Sequence, residues 1–462
     1  MQAIPFDRAL QLKYDVPGPR YTSYPTAPHF SAEFDAEAYA AVAAESNAEP
    51  LPRPLSLYVH IPFCESLCFY CACNKIITRH REKADVYLNY LEKELALQGR
   101  LFDRDRLVRQ LHLGGGTPTY LNNQQLWRLM QIVHRHFALA ECREREFSVE
   151  VDPREIDADT LAVLGDIGFN RLSLGVQDFD SRVQKAVNRE QSIALVTGVV
   201  ERARHAGFAS ISFDLIYGLP FQSVATFHKT LDAVIAMRPD RLSVYNYAHL
   251  PERVKAQRLI RQEDLPTPSE KLSILAATVD RLTDAGYITI GMDHFALPDS
   301  DMAKAMASGS LQRNFQGYST HSECDLIGVG VTSIGKVGDS YIQNVKHLRS
   351  YYALLDQGRL PVERGCLLDA DDVLRRAVIE AVMCRVRVDY AEFEERFNID
   401  FQRYFHSELR ELDQLEGDGL VTREVAGLRI HPRGRMLLRN VAMVFDRYLR
   451  EPRIQVRYSQ TV

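Results

Sequence analysis

The 462-residue sequence lacks several features, and each absence removes a class of protein. No run of about 18 apolar residues occurs, so no segment reads as a membrane-spanning helix. Residues 1–20, MQAIPFDRALQLKYDVPGPR, show no basic start followed by an apolar stretch, so they do not read as a secretory signal. The expected location is the cytoplasm. Basic charge is not in excess: 56 Lys and Arg stand against 61 Asp and Glu, a net charge of −5. Nucleic acid is therefore not an expected partner, and neither is a membrane. No heptad seam or long exposed apolar helix stands out, which predicts a monomer. Nor are the eight cysteines spread as a disulfide framework would be. Cys64, Cys68, Cys71 and Cys73 crowd together, while Cys142, Cys324, Cys366 and Cys384 are scattered. Clustering of that kind reads as metal or cluster binding.

What remains is a chain with 46% apolar and 25% charged residues, typical of a soluble protein of two or three domains. Residues 1–50 have weak periodicity and read as an extension with a short helix at 36–44. From 51 to 350 strand and helix patterns alternate. Strands are predicted at 57–61, 110–113, 147–151, 171–176, 210–216, 241–247 and 288–292, and helices at 84–98, 124–135, 193–205, 223–236 and 268–285. This alternation predicts an α/β fold of parallel strands with helical crossovers, as a full or partial barrel or an open doubly wound sheet. In each case the active-site loops gather at the C-terminal strand ends. Residues 351–462 read as a mostly helical domain: helices at 369–384, 390–396 and 400–415, a hairpin at 419–432 and a last helix at 434–448. That order is winged-helix-like, but its mixed charges point to a lid or packing role and not to DNA.

The chemistry-bearing motif is Cys64-Glu-Ser-Leu-Cys68-Phe-Tyr-Cys71, directly after the first predicted strand. Closely spaced thiolates hold iron–sulfur clusters, and three thiolates on a four-iron cubane leave one iron without a protein ligand. The alternative is structural zinc with Cys73 as fourth ligand. Zinc sites usually pair two separated knuckles, and four thiolates this close would crowd a tetrahedron.

The Cys-x-x-x-Cys-x-x-Cys loop resembles that of the radical S-adenosylmethionine (SAM) superfamily. The likeness extends over nearly the whole chain to one family within it, the oxygen-independent coproporphyrinogen III oxidases. It is carried by Gly18-Pro-Arg-Tyr-Thr-Ser-Tyr-Pro-Thr26, Tyr58-Val-His-Ile-Pro-Phe-Cys64, Cys71-Ala-Cys73-Asn-Lys75, Gly114-Gly-Gly-Thr-Pro118, Glu150-Val-Asp-Pro-Arg154, Gly175-Val-Gln-Asp178 and Asp214-Leu-Ile-Tyr-Gly-Leu-Pro220. Ala72 stands where a glycine is common. The resemblance implies a partial (β/α) barrel of the radical SAM type, with Cys64, Cys68 and Cys71 ligating a [4Fe–4S] cluster. SAM would chelate its fourth iron, and two SAM molecules would be bound in all. Cofactor contacts implied by the resemblance are Tyr58, Tyr70, Gly115, Gly116, Thr117, Glu150, Gln177, Arg189, Asp214, Ala248, Gln316 and Ile334. Among these, Gly115, Asp214 and Gln316 would lie near the second SAM, and Ala248 and Ile334 in the adenine pocket. Cys73 would support the loop or the chemistry without ligating.

The implied reaction is oxidative decarboxylation of two propionates of coproporphyrinogen III, drawing on a flavodoxin-type electron donor. The N-terminal extension would contribute to the substrate site. Arg20, Arg313 and Lys336 are candidate partners of the anionic tetrapyrrole, and Tyr21 and Tyr24 would pack on the macrocycle or on the barrel. A haem chaperone of the same superfamily shares the three-cysteine loop, as do haem-modifying relatives, but the chaperone generally lacks Cys73 and the Gly18–Thr26 segment.

Overall fold

The computed structural model describes residues 6–141, 145–321, 323–450, 456 and 458–461; Cys142 lies outside them. The main sheet begins with six strands: β1 (Leu55–Ile61), β2 (Val108–Gly115), β3 (Glu146–Val151), β4 (Arg171–Gln177), β5 (Ser210–Tyr217) and β6 (Arg241–Asn246). They lie side by side and parallel in chain order. The main crossover helices between them are α1 (Glu82–Gln98), α2 (Asn123–His136), α3 (Ala158–Asp166), α4 (Ile193–His205) and α5 (Val224–Met237), with a short helix, Ser181–Ala186, ahead of α4.

The strands alternate with a period of two, and the two faces have opposite chemistry. Leu57, Val59, Leu111, Leu113, Phe147, Val149, Leu172, Leu174, Phe213 and Val244 are buried in the main hydrophobic core. Their neighbours on the other face are polar: His112, Ser148, Glu150, Ser173, Ser212, Asp214, Ser243 and Tyr245 line internal cavities. Register sets these side chains in rows. Tyr58 lies opposite His112, and His112 opposite Ser148. Glu150 lies opposite Ser173, and Ser173 opposite Ser212.

The strand expected at 288–292 is present as β7 (Ile288–Gly291), but it is not the next parallel strand. It turns tightly into β8 (His294–Ala296), and β8 pairs antiparallel with both β6 and β7. A two-residue turn is far too short for a parallel crossover. At the other edge, β9 (Asp325–Val329) lies parallel to β1. It is followed by an antiparallel run of β10 (Ile334–Val337), β11 (Ser340–Asn344) and β12 (Val362–Leu367). These late strands are short, and all but Ser340–Asn344 contain a glycine, so no period-two pattern announced them. Among the described residues β12 and β7 do not pair, so the sheet remains open.

The helix expected at 36–44 spans Ala36–Asn47, and a further helix occupies Arg8–Lys13. The hairpin expected at 419–432 forms as Val421–Glu424 and Gly427–Ile430, joined by Arg387–Asp389. Two expected helices are broken. Residues 400–415 fold as Phe401–Tyr404, His406–Glu411 and the start of Asp413–Gly417. The last helix is a 3₁₀ turn, Pro432–Leu437, then Leu438–Met443 and Arg447–Arg450. It breaks where Asp446 accepts from the Tyr448 amide at 2.9 Å and from the Tyr21 hydroxyl at 2.9 Å. The Tyr24 hydroxyl accepts from the Arg447 amide at 3.1 Å. Tyr21 and Tyr24 are thus packed in the core of the C-terminal segment. Arg439 adds to this clamp by donating to the carbonyls of Gly18, Pro19 and Gln460. No helix among the described residues is long and apolar enough to cross a membrane.

At the N-terminal strand ends, buried Glu146 faces Arg171 at 3.2 Å and Arg241 at 3.5 Å. Burial raises its carboxyl, but Arg241 and Arg171 outweigh this and bring it down to about 2. Asp301 also pairs with Arg171, at 2.8 Å, while Arg241 is shifted down by burial. Glu146→Gln is expected to destabilise the fold by about 3–5 kcal/mol in denaturant melts, the usual cost of stranding a buried charge. The native contribution should be complete above the unfolded carboxylate value of 4.5 and fall away as pH drops toward 2, because the folded value is the lower one.

Candidate active site

The site is built at the C-terminal ends of β1 to β6. β1 runs through Pro62 into a two-residue strand, Phe63–Cys64, which pairs with Ile76–Ile77 and closes the cysteine loop at its base. The Thr78 amide donates to the Cys64 carbonyl at 3.0 Å. The loop's far side is held by main-chain groups. The Phe69 amide donates to the Val187 carbonyl, Asn188 to the Leu67 carbonyl and Gln257 to the Tyr70 carbonyl. Cys64 and Cys68 are buried, Cys71 is partly buried and Cys73 lies at the surface.

The turn after β2 docks on the same segment. The amides of Gly116 and Thr117 donate to the carbonyls of Ile61 and Phe63, both at 2.8 Å. Gly115 has a φ of +114°, and a Cβ there would lie 2.6 Å from the His60 ring. At Gly116 a Cβ would lie 2.6 Å from the Phe63 carbonyl and 3.0 Å from the Cys64 sulfur. Only glycine permits both approaches.

Charge is arranged around the cysteines. Asp152, at the end of β3, pairs with Arg189 at 2.5 Å and with Arg154 at 2.7 Å. Burial raises Asp152, but Arg189 and Arg154 outweigh it and hold the carboxyl below its ordinary value. Both guanidiniums also point at the Cys68 sulfur, Arg189 at 3.7 Å and Arg154 at 3.8 Å. Thr117 donates to the Cys64 sulfur at 3.5 Å. Burial pushes the Cys64 thiol up to about 12. The bond from the Cys73 thiol brings Cys71 down to about 6 and raises Cys73. A metal-bound thiol is deprotonated outright, which removes the burial cost at Cys64.

Above the cysteines, Glu150 is held by His112 at 3.1 Å and by the Gly115 amide at 3.2 Å. Burial works against its ionised form, and the His112 bond prevails, lowering its value. Asp214 accepts from Ser173 at 3.1 Å; burial, then repulsion from Glu150, pushes it up to about 6. Gln177 sits at a bulge with a φ of +64°, uncommon for a residue with a side chain and a recurrent feature of ligand sites.

One cavity of about 320 Å³ is lined by Cys64, Cys68, Cys71 and Cys73 together with Tyr70, Gly115, Gly116, Thr117, Glu150, Gln177, Arg189 and Asp214. Gln316 lines a smaller polar cavity of about 160 Å³ that shares Glu150 and Asp214 with it. Tyr58 lies behind this wall, stacked on His112 with ring centroids 5.7 Å apart. Ala248 faces a different cavity, but Gln257 bonds both its carbonyl and that of Tyr70. Ile334 packs instead beside Phe30 and Tyr341, outside the lining of these cavities. Lys336 lies 3.6 Å from Glu380, and Arg313 donates to the Arg20 carbonyl, so the structure does not bring either to the cysteine cavity. Sequence reasoning passed over Asp152 and Arg154 as individual residues. Their signal was the Glu150-Val-Asp-Pro-Arg154 segment, in which every second residue is charged.

No group of three or more His, Cys, Asp or Glu side chains among the described residues converges on a single ion. In a polynuclear cluster each thiolate takes a different iron and hydrogen bonds reach the sulfurs. The cradle of Gly116, Thr117 and Cys64 and the donors around Cys68 fit such a group.

A three-cysteine loop above the open end of a parallel α/β sheet defines a radical SAM protein, and residues 58–234 match the Radical SAM superfamily. Residues 368–437 match the HemN C-terminal domain. The chain is 48% identical to the oxygen-independent coproporphyrinogen III oxidase of Escherichia coli K12 over the full length of both. It is 47% identical to the Pseudomonas aeruginosa protein of that name, covering 97% of each chain. The solved structure of the E. coli coproporphyrinogen III oxidase, described as a radical SAM enzyme, superposes with a TM-score of 0.91 over 97% of this chain and all of that one, at 48% identity. The chain belongs to the oxygen-independent coproporphyrinogen III oxidase family.

Cys64→Ser, Cys68→Ser and Cys71→Ser should each lose iron and sulfide after anaerobic reconstitution, whereas Cys73→Ser should retain them. Equal loss in all four variants, measured by iron and sulfide content, would refute this division of roles.

Proposed function

We propose that this chain oxidatively decarboxylates two propionate side chains of coproporphyrinogen III to vinyl groups in anaerobic haem biosynthesis, giving protoporphyrinogen IX. Each propionate loses one hydrogen atom, carbon dioxide and one further electron. Two SAM molecules are consumed, yielding two methionines and two 5′-deoxyadenosines. The observation that carries the reading is the single cavity in which the three cysteines meet Arg189, Glu150 and the glycine turn, in a chain alike throughout to proteins named for this activity. When bound, a [4Fe–4S] cluster on Cys64, Cys68 and Cys71, with SAM at its open iron, supplies a 5′-deoxyadenosyl radical by reductive cleavage of the sulfonium.

The chain's own residues position and shield. Arg189, whose terminal nitrogens hold Asp152 and the Gly175 carbonyl, keeps its Nε donor for a ligand carboxylate. Glu150, fixed by His112 and the Gly115 amide, presents an anionic oxygen to ribose hydroxyls or to a cation. The turn at Gly115, Gly116 and Thr117 offers main-chain groups to the methionine moiety. Tyr70 and Gln177 face the same space, Tyr58 braces it through His112, and Ala248 continues the wall past Gln257. Asp214, with Gly115 and Gln316, serves the second SAM. Nothing in the packing of Ile334 supports an adenine contact, and the proposal does not extend to it. Residues 1–50 contribute to the substrate side, 51–350 carry the chemistry and 351–462 cover it. A flavodoxin-type donor supplies electrons to a monomeric cytoplasmic enzyme.

Anaerobic reconstitution followed by reductant, SAM and coproporphyrinogen III should yield protoporphyrinogen and 5′-deoxyadenosine together. Tight haem binding without decarboxylation would defeat the reading. If Asp214 binds the cationic SAM as a carboxylate, turnover should rise as pH climbs through about 6, where that group ionises. Asp214→Asn should lower turnover and remove that limb of the pH profile.

A further inference from the structure

Beside the cysteine cavity lies a larger one, of about 780 Å³ against about 320 Å³. The two meet at Tyr245 and Arg20. Tyr245 lines the smaller and Arg20 the larger, and the guanidinium sits over the tyrosine ring at 5.7 Å. The larger cavity is walled by the loop after β6, the helix Pro268–Asp284, the N-terminal extension and residues 458–461. Its volume falls in the range of about 300–1,000 Å³ usual for ligand-sized sites. Tyr217, Tyr247, Leu275, Met292 and Met436 give it apolar walls.

Among the described residues that line it, positive charges outnumber negative ones. Arg20, Arg253, Lys271 and Arg439 face the two carboxylates of Glu252 and Asp293. Asp293 is already engaged with Arg20 at 2.5 Å. Lys271, partly buried, donates to the Tyr247 carbonyl at 3.3 Å, and the Asp15 carboxylate acts on it electrostatically. Arg439 is fully buried yet bonded to main-chain carbonyls alone. Burying a cation without an anion is costly. A wall that keeps such cations around an apolar space suits a flat apolar ligand with an anionic rim.

We propose that this cavity seats the tetrapyrrole, with Lys271 and Arg253 binding propionates that are not reacting and Arg20 steering the reacting edge past Tyr245. The assignment rests on the substrate proposed above. Lys271 and Arg253 are positioning residues here, since neither lines the cysteine cavity.

The test is anaerobic steady-state kinetics with coproporphyrinogen III, together with the Kd of the fluorescent porphyrin coproporphyrin III, on Lys271→Gln, Arg253→Gln, Lys271→Arg and the surface control Lys304→Gln. Each glutamine variant at the cavity should raise KM and Kd about tenfold with kcat held within about twofold, the pattern of lost uniform binding. Lys271→Arg should recover most of the affinity, and Lys304→Gln should match the wild type. Arg253 is exposed, so Arg253→Gln decides the matter if Lys271→Gln fails to fold. Unchanged KM and Kd in an enzyme whose wild type turns over, or a fall in kcat alone, would overturn the cavity assignment and leave the reaction standing. A wild type that neither binds nor converts the tetrapyrrole would overturn the reaction and this assignment with it.

Discussion

Asp152 is the charge on which the geometry of the cysteine loop turns. Its buried carboxylate holds Arg189 at 2.5 Å and Arg154 at 2.7 Å, and both guanidiniums reach on to the Cys68 sulfur. Three segments far apart in sequence are thereby fastened to one point: the end of β3, the loop bearing Arg189 and the cysteine loop. A buried and a part-buried cation beside a thiol would be unstable without that carboxylate, and with it they remain as donors aimed at the Cys68 sulfur.

The polar face of the sheet extends the same logic. Parallel register sets His112, Ser148, Glu150, Ser173 and Asp214 on one side and the aliphatic core on the other. Carboxylates at neighbouring positions of that face influence each other: Glu150 is ionised by its histidine and amide partners, while Asp214 rises to about 6 under burial and the Glu150 charge. Two carboxylates so close are shifted in opposite directions because their surroundings differ.

The chain ends act as cover. Arg439, Tyr21 and Asp446 bind the N-terminal extension to the C-terminal segment, and residues 458–461 lie against both. The result is a wall around the open side of the sheet without any pairing of its edge strands. Radical chemistry needs such enclosure, since the protein's part is to place and to shield.

The cysteine spacing, the glycine turn and the period-two strands were legible in the sequence because they are local: a loop of eight residues, a triplet after a strand, an alternation along one segment. So was the shape of β1 to β6. The antiparallel run β9 to β12 was not, because short strands with glycines acquire their pairing only from a neighbour. The broken helices at 400–415 and 434–448 likewise depend on contacts made elsewhere, such as Tyr21 reaching Asp446. The sequence by itself marked the cysteine loop and the glycine turn, and where along the chain they lie. Only the tertiary structure decided that Asp152 and Arg154 join the cysteines, that Lys336 and Ile334 stand apart from them, and that Arg20, Arg253, Lys271 and Arg439 converge on a second cavity. Ion pairing and cavity shape are set by residues distant in sequence, and no local pattern encodes those distances.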